Sequence, residues 1–309
     1  MQQKIMAIIN PVSANGKTAK AWPVYEKYFL VQGIKIEKRF TEYQGHAIEL
    51  TRSVVAEGYR KIMAVGGDGT INEVVNGIYK DGRLISDDIR LIIFSQGTGC
   101  DYIRSLGIGN KVEDIVNIIK RNQVKLLDLG QVSYRNHQGI EEKRLFVNLA
   151  DTGIGAATAK LVNESSKVLG GFLTFLLGIL RTLYSHQNKK IRVLVDHKEK
   201  CNQYLNSVMI ANGKYFGGGI QIAPEADLES GILNIVLLKN FNKLQIIVNL
   251  IRAYKGTHLS HPLVESINGK DILMQSEGDE ISELELDGES VGTLPARFKI
   301  SDNKLPVFV

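Results

Sequence analysis

Two short strings in this 309-residue chain hold the residue types that phosphate chemistry needs. Gly66-Gly67-Asp68-Gly69-Thr70 lies between the apolar run Lys61 to Val65 and a helical pattern starting near Ile71. Its glycines leave main-chain amides unscreened by side chains, and the start of a helix adds partial positive charge, so the loop can hold an anionic phosphate. Thr70 is placed to cap that helix. Asp68 is the odd member. A carboxylate beside a phosphate repels it unless a cation intervenes, which points to a nucleotide with Mg2+. A glycine-rich turn with aspartate as a local cap is the plain alternative. Gly97-Thr98-Gly99-Cys100-Asp101 repeats the arrangement after the next strand. Successive strand-exit loops that each carry a threonine and an aspartate are a more specific signal than one Gly-x-Gly.

Other phosphate motifs fit less well. A Rossmann fingerprint read from Gly67 requires glycine at position 72, where Asn72 stands. Gly16-Lys17-Thr18 has the ending of a Walker A loop, but its leading glycine falls on Pro11, which has no amide to offer. A P-loop NTPase is therefore a minor alternative.

The loops need a scaffold, and residues 1–128 supply one. Ile5 to Ile9, Ile34 to Phe40, Ile62 to Val65 and Ile89 to Phe94 are short apolar runs, each ending in a turn before a helical pattern. That rhythm predicts a parallel sheet whose right-handed crossovers gather the loops at its carboxyl edge, where open α/β sheets bind ligands. Beyond Asp128 the pattern changes to period two: Gln131 to Tyr134, Leu145 to Leu149, Ile191 to Val193, Ser207 to Ile210, Ile232 to Leu238 and Leu284 to Asp287. Helical stretches interrupt it near Ala156 to Val162 and Gly170 to Leu183. Another helix carries Leu244, Ile247, Val248 and Ile251 on one face. The expected fold is an α/β domain over 1–128 and a mainly antiparallel β-sandwich over 129–297, with 298–309 able to return to either domain.

Hydrophobic content of 44% with 23% charged residues excludes extended disorder and collagen. Lysine plus arginine exceed aspartate plus glutamate by 38 to 33, a mild excess without arginine-rich blocks. It suits phosphorylated ligands or anionic membranes and does not call for nucleic acid. Cys100 and Cys201 are far apart, which argues against a disulfide framework or a zinc site. Met1 to Lys4 leads directly into Ile5 to Ile9, so no export signal is visible and a cytoplasmic location is expected. The uncharged run Val168 to Leu180 is 13 residues long, too short to span a bilayer, and is expected to be a buried or interfacial helix.

Taken together, Asn10-Pro11-Val12-Ser13, Thr41 with Gly45-His46-Ala47, Gly66 to Thr70 with Asn72-Glu73, and Gly97-Thr98-Gly99 resemble the bacterial soluble lipid kinases that share the diacylglycerol kinase catalytic domain. The similarity covers nearly the whole chain and implies the fold shared with NAD kinase and phosphofructokinase. It implies an ATP site of Asn10, Pro11, Val12, Ser13, Ala14, Thr41, Gly66, Gly67, Asp68, Gly69, Thr70, Ile71, Asn72 and Thr98. It also implies an aspartate network, Asp68, Asp101 and Asp128, that organises Mg2+ through water. Where the family has asparagine before the second aspartate, this chain has Cys100. The family's catalytic base matches Asp287 in Asp287-Gly288-Glu289, a pair that by itself reads as a hairpin turn.

A second, structural Mg2+ in relatives matches the stretch Ala223 to Gly231. There Ser230 replaces an aspartate, a poorer anchor for a hard cation unless Asp227 or Glu229 compensates. The implied activity is ATP- and Mg2+-dependent phosphorylation of a lipid hydroxyl in the cleft between the domains, with diacylglycerol giving phosphatidic acid. The enzyme would work peripherally at the inner membrane surface, and the sequence leaves a homodimer open. The residues do not select diacylglycerol over a sphingoid base or another lipid alcohol. An NAD kinase and a non-catalytic nucleotide or lipid sensor are the rivals.

Overall fold

The computed structural model describes residues 4–164, 177–179, 181–183, 187–278 and 281–309. Most of the run Val168 to Leu180, and with it the helix expected over Gly170 to Leu183, lies outside the described residues; 177–179 and 181–183 are helical. Among the described residues no helix is long and apolar enough to cross a membrane. The chain divides into two units, residues up to Leu127 with Asp302–Val309, and Asp128–Ser301. Asp128, expected to close the first domain, thus opens the second, and the returning tail begins at Asp302 instead of Phe298.

In the first unit, β1 (Ile5–Ile9), β2 (Ile36–Phe40), β3 (Lys61–Gly66) and β6 (Arg90–Ser95) run parallel in the order β2-β1-β3-β6. β1, β3 and β6 are buried nearly throughout, as their unbroken apolar runs require of strands covered on both faces. Helices α1 (Lys17–Val31), α2 (His46–Ala56), α3 (Asp68–Ile78), α4 (Asp101–Leu106) and α5 (Val112–Arg121) follow them. Trp22 and Phe29 of α1 and Ile115 and Ile118 of α5 share one core with Ile9, Val65 and Phe94 of the sheet. A small hairpin, β4 (Tyr79–Lys80) and β5 (Arg83–Leu84), follows α3. The sheet is completed by β18 (Leu305–Phe308), which lies parallel to β6 on one side and antiparallel to β7 (Val124–Leu127) on the other.

The second unit is built on an antiparallel sheet. Its strands are β8 (Gly130–Asn136), β9 (Glu141–Phe146), β10 (Leu149–Gly153), β11 (Lys189–Val195), β12 (Lys198–Ala211), β13 (Leu233–Lys239), β14 (Val264–Gly269), β15 (Asp271–Ser276), β16 (Glu283–Leu286) and β17 (Glu289–Ile300). Two of them are long enough to change partners along their length. β12 pairs with β11 through 198–205 and with β10 through 207–211, while β17 pairs with β16 through 289–293 and with β15 through 296–299. Because β11 pairs with β15 and β10 with β16, the long strands are shared by two four-stranded arrays. Alternate residues such as Val193, Leu205, Ile210, Leu286 and Phe298 fill one buried cluster.

Helices α6 (Ile154–Glu164) and α7 (Lys243–Tyr254) accompany this sheet, along with the helical residues 177–179 and 181–183. Ile246 and Leu250 of α7 pack against Ile154, Ile179 and Leu183. The face with Leu244, Ile247, Val248 and Ile251, which the spacing marked as apolar, is exposed.

Candidate active-site residues

The two glycine strings meet main chain to main chain. A Cβ on Gly97 would stand 2.6 Å from the Cα of Gly67, and one on Gly66 would collide with the side chain of Thr70. Glycine is needed here for close approach, because any side chain would drive the loops apart. α3 starts at Asp68, three residues before the helix expected from Ile71, so Asp68, Gly69 and Thr70 form its first turn. Thr70 is therefore not the cap. Its Oγ1 accepts a hydrogen bond from Asn10 Nδ2 at 3.1 Å, tying the loop after β1 to the loop after β3. Ile71 and Asn72, on the same helix, are fully buried.

Asp68 does not cap its own helix either. Its Oδ2 accepts from the main-chain N–H of Asp101 (3.2 Å) and its Oδ1 from that of Tyr102 (3.1 Å), at the start of α4. Burial pushes the Asp68 carboxyl above the usual aspartate range, opposed by those two amides. The Asp101 carboxylate is buried and 3.2 Å from Arg104. A Cβ placed on Gly99 would lie 3.1 Å from Asp101 Oδ2 and 3.2 Å from Asp68 Oδ2. Both carboxylates therefore converge on one glycine, whose missing side chain keeps the space between them open. Cys100 enters α4 in the left-handed conformation (φ 54°), and Thr98 is exposed on the same loop.

The loops after β1 and β2 complete this carboxyl edge. Ala14, Asn15 and Gly16 are consecutive left-handed residues before α1, with φ of 51°, 57° and 76°, a costly conformation of the kind that collects at functional loops. Val12 projects into solvent, while the Ser13 hydroxyl donates to the Asn10 carbonyl at 2.8 Å and lies 2.6 Å from the Thr18 hydroxyl. Thr41 is buried and its N–H donates to the Ile9 carbonyl at 2.8 Å. Glu73 of α3 reaches across to accept from Gly45 N–H (2.9 Å) and Ala47 N–H (3.1 Å), fixing the loop that follows Thr41. His46 opens α2 and stacks on Tyr43 with ring centroids 4.5 Å apart.

Asp128 is the first residue of the second unit. It is fully buried, and its Oδ2 accepts from Gly231 N–H at 2.7 Å, so it holds the loop that follows Ala223. In that loop Asp227 Oδ1 accepts from Glu229 N–H, and the Ser230 hydroxyl donates to the Asp227 carbonyl. The exposed Asp227 and Ser230 thus serve a local turn. Among the described residues there is no cluster of three or more His, Cys, Asp or Glu side chains that could hold a metal.

Asp287 and Gly288 join β16 to β17 as a two-residue turn with φ of 47° and 94°, the conformation for which Asp-Gly is suited. The side chain has a further role. Oδ1 accepts from the N–H groups of Asn148 and Leu149, both at 2.9 Å, and Oδ2 from that of Val147 at 2.8 Å. Asp287 as a whole is 7% exposed. Val147 and Asn148 form the break between β9 and β10, so one side chain fixes this corner of the unit. The turn and acceptor roles coexist in a single residue.

Comparison with known proteins gives this arrangement a family. The model of the diacylglycerol kinase catalytic domain matches residues 4–132, and that of the YegS C-terminal NAD kinase beta sandwich-like domain matches residues 148–309. The chain belongs to the diacylglycerol kinase-type lipid kinases. A diacylglycerol kinase of Mycobacterium tuberculosis (strain CDC 1551 / Oshkosh) is 25% identical over 297 residues, 95% of this chain and 91% of that one. A diacylglycerol kinase of Staphylococcus saprophyticus is 24% identical, covering 100% and 96%. A crystal structure of a diacylglycerol kinase from Bacillus anthracis str. Sterne superposes with a TM-score of 0.69 at 19% identity, over 99% of this chain and 96% of that one. The last is a likeness of fold. The family makes the protein a phosphotransferase with an alcohol acceptor, on an α/β domain followed by an antiparallel β domain.

The lipid kinase also carries a buried acidic pair that the sequence did not reveal. Asp151 of β10 and Glu285 of β16 are cross-strand partners, both buried. The Ser207 hydroxyl donates to Asp151 Oδ1 at 3.1 Å, and Gly288 N–H donates to Glu285. Burial pushes the Asp151 carboxyl up to about 7 and that of Glu285 well above its ordinary value, the latter also raised by Asp151. An alternating strand such as Leu284-Glu285-Leu286-Asp287 reads as having one polar face in water, and only the tertiary fold covers that face. Near Asp287, Glu289 pairs with Arg144 at 2.7 Å, likewise unsignalled in sequence.

A pH dependence follows. Between its unfolded value of 3.8 and about 7 in the fold, Asp151 holds its proton in the native state and not in the unfolded one. Stability then falls as pH rises through that window and is lowest above it, a difference of about 4 kcal/mol. Asp151→Asn keeps the neutral shape and should raise unfolding free energy at pH 8 by about 2–4 kcal/mol, with little change at pH 4. Urea denaturation at the two pH values checks this. Equal stabilisation at both would show that the carboxyl is not the cause.

Proposed function

We propose that this lipid kinase transfers the γ-phosphoryl group of ATP, in the presence of Mg2+, to the hydroxyl of diacylglycerol and yields phosphatidic acid. The observation that carries the nucleotide half is the contact of Gly67 with Gly97, beside the carboxylates of Asp68 and Asp101. Main-chain amides at a helix start suit phosphate oxygens, and a carboxylate pair tolerates them only with a cation. Asp68 and Asp101 would hold Mg2+ through water, consistent with the habit of that ion of keeping waters and taking phosphate ligands. When bound, Mg2+ offsets the negative charge of the phosphates. Asn10 to Ala14, Thr41 and Thr98, all on loops of the same sheet edge, would surround the nucleotide.

Asp287 would act on the acceptor. Held by three main-chain amides, its carboxylate is oriented without rotamer freedom. It would accept the proton of the lipid hydroxyl as that oxygen attacks the γ-phosphorus and the bond to the ADP oxygen breaks. Diacylglycerol as acceptor is supported by the names of the M. tuberculosis and S. saprophyticus relatives. The enzyme would meet it at the cytoplasmic membrane surface.

The test is transfer of label from γ-labelled ATP to a panel of diacylglycerol, monoacylglycerol, sphingosine and NAD, with Mg2+ or with EDTA. The reading expects labelled phosphatidic acid, only when Mg2+ is present. Preferential labelling of NAD or of a sphingoid base would replace the acceptor, and nucleotide binding without transfer to any of them would make the protein a sensor.

A further inference from the structure

The exposed face of α7 carries none of the residues assigned above to phosphoryl transfer. Leu244 (71% exposed), Ile247, Val248 (50%) and Ile251 (61%) recur at helical spacing and form one stripe. On the opposite side Ala253 is buried, and Ile246 and Leu250 pack against the unit. The helix is thus apolar on two faces and covered on one, which marks an interaction surface. Its charges are of one sign: no Asp or Glu occurs between Asn242 and Gly256, while Lys243, Arg252 and Lys255 do. Arg252 is held beside the stripe by donating to Ser260 Oγ at 2.6 Å and to the Thr257 carbonyl at 3.2 Å. The segment with Ile179 and Leu183, packed against Ile246 and Leu250, adds exposed Leu177 and Arg181.

We propose that α7 seats in the interface of an anionic phospholipid membrane, with the Leu244-to-Ile251 stripe at the acyl boundary and Lys243, Arg252 and Lys255 among the headgroup phosphates. Self-association through this stripe would bring these cations against their own copies, so charge favours the membrane as occupant. The proposal rests on the reading that the acceptor is a membrane lipid, and it names where the enzyme meets that lipid.

Sedimentation of the intact protein with vesicles of phosphatidylcholine and phosphatidylglycerol (3:1), or of phosphatidylcholine alone, tests it. The double variant Val248→Glu, Ile251→Glu should lower partitioning onto the mixed vesicles by at least about tenfold. Lys243→Gln with Lys255→Gln should lower it several-fold there and leave the weak binding to phosphatidylcholine unchanged. Turnover of a short-chain diacylglycerol dissolved as monomers should not change in either variant. Unaltered partitioning by a glutamate variant with the wild-type melting temperature overturns the proposal. So does a change from dimer to monomer in light scattering with partitioning intact, which would assign the stripe to a second copy. If the wild type phosphorylates neither the dissolved nor the vesicle-borne acceptor, the kinase reading fails, whereas the partitioning measurements still decide the membrane role.

Discussion

Asp287→Asn should cut turnover roughly a thousandfold, with ATP affinity within a few-fold of wild type and the melting temperature only modestly lower. Asparagine fits the left-handed turn at φ 47°, and its carbonyl oxygen can keep the bonds that Oδ1 accepts from Asn148 and Leu149. It places an amide against Val147 N–H, where Oδ2 now accepts, and it removes the charge that would take the hydroxyl proton. Asp287→Ala asks a different question. It strands three buried main-chain donors at the break between β9 and β10, at about 1–3 kcal/mol each if water does not replace the carboxylate. Comparing the two by steady-state kinetics and urea denaturation separates charge from scaffolding. If Asp287→Asn retains turnover within tenfold, the carboxylate is structural and the proton acceptor must be sought elsewhere, first at Glu289.

Gly97→Ala should weaken ATP binding about a hundredfold or more and destabilise the protein by about 1–3 kcal/mol. The new methyl would stand 2.6 Å from the Cα of Gly67, and both partners are main chain, so no rotamer can relieve the overlap. The loops must separate, moving the amides of the β3–α3 turn relative to those before α4. Gly107→Ala is the control, at the other end of α4. Nothing lies within 4 Å of its Cβ position and only its φ of 69° opposes the substitution, so it should cost about 1 kcal/mol without altering nucleotide affinity. Isothermal titration with ATP analogues measures the contrast. Equal losses in both variants would mean that the glycine contact serves the fold alone.

How far these features could be read from residues alone depended on whether the signal was local. β1 coincides with Ile5 to Ile9, and β3 and β6 lie within a residue of their apolar runs, because strands buried on both faces show as uninterrupted hydrophobic stretches. Leu145 to Leu149 read as one strand and is two, β9 and β10. The break at Val147 and Asn148 is made by a carboxylate some 140 residues away, which no window of sequence contains. The same distance hid the burial of Asp151 and Glu285. The convergence of Asp68 with Asp101 followed from parallel strand order, while the assignment of Asp128 to the second unit did not, since the boundary carries no linker composition. For α7, spacing revealed a stripe correctly and gave no means to tell which stripe the core would cover. Glu73 was visible only as a neighbour of Asn72, and its grip on Gly45 and Ala47 needed coordinates.

The insertion of β18 between β6 and β7 has a consequence for biosynthesis. A ribosome delivers β6 and β7 long before residues 305–308 emerge. Until then β6 presents an unpaired edge and β7 lacks its neighbour, although the Asp128–Ser301 unit contains all of its own strands. Translation order and folding order therefore diverge: the α/β unit, made first, closes last, and the nascent chain must be kept from edge-to-edge pairing meanwhile.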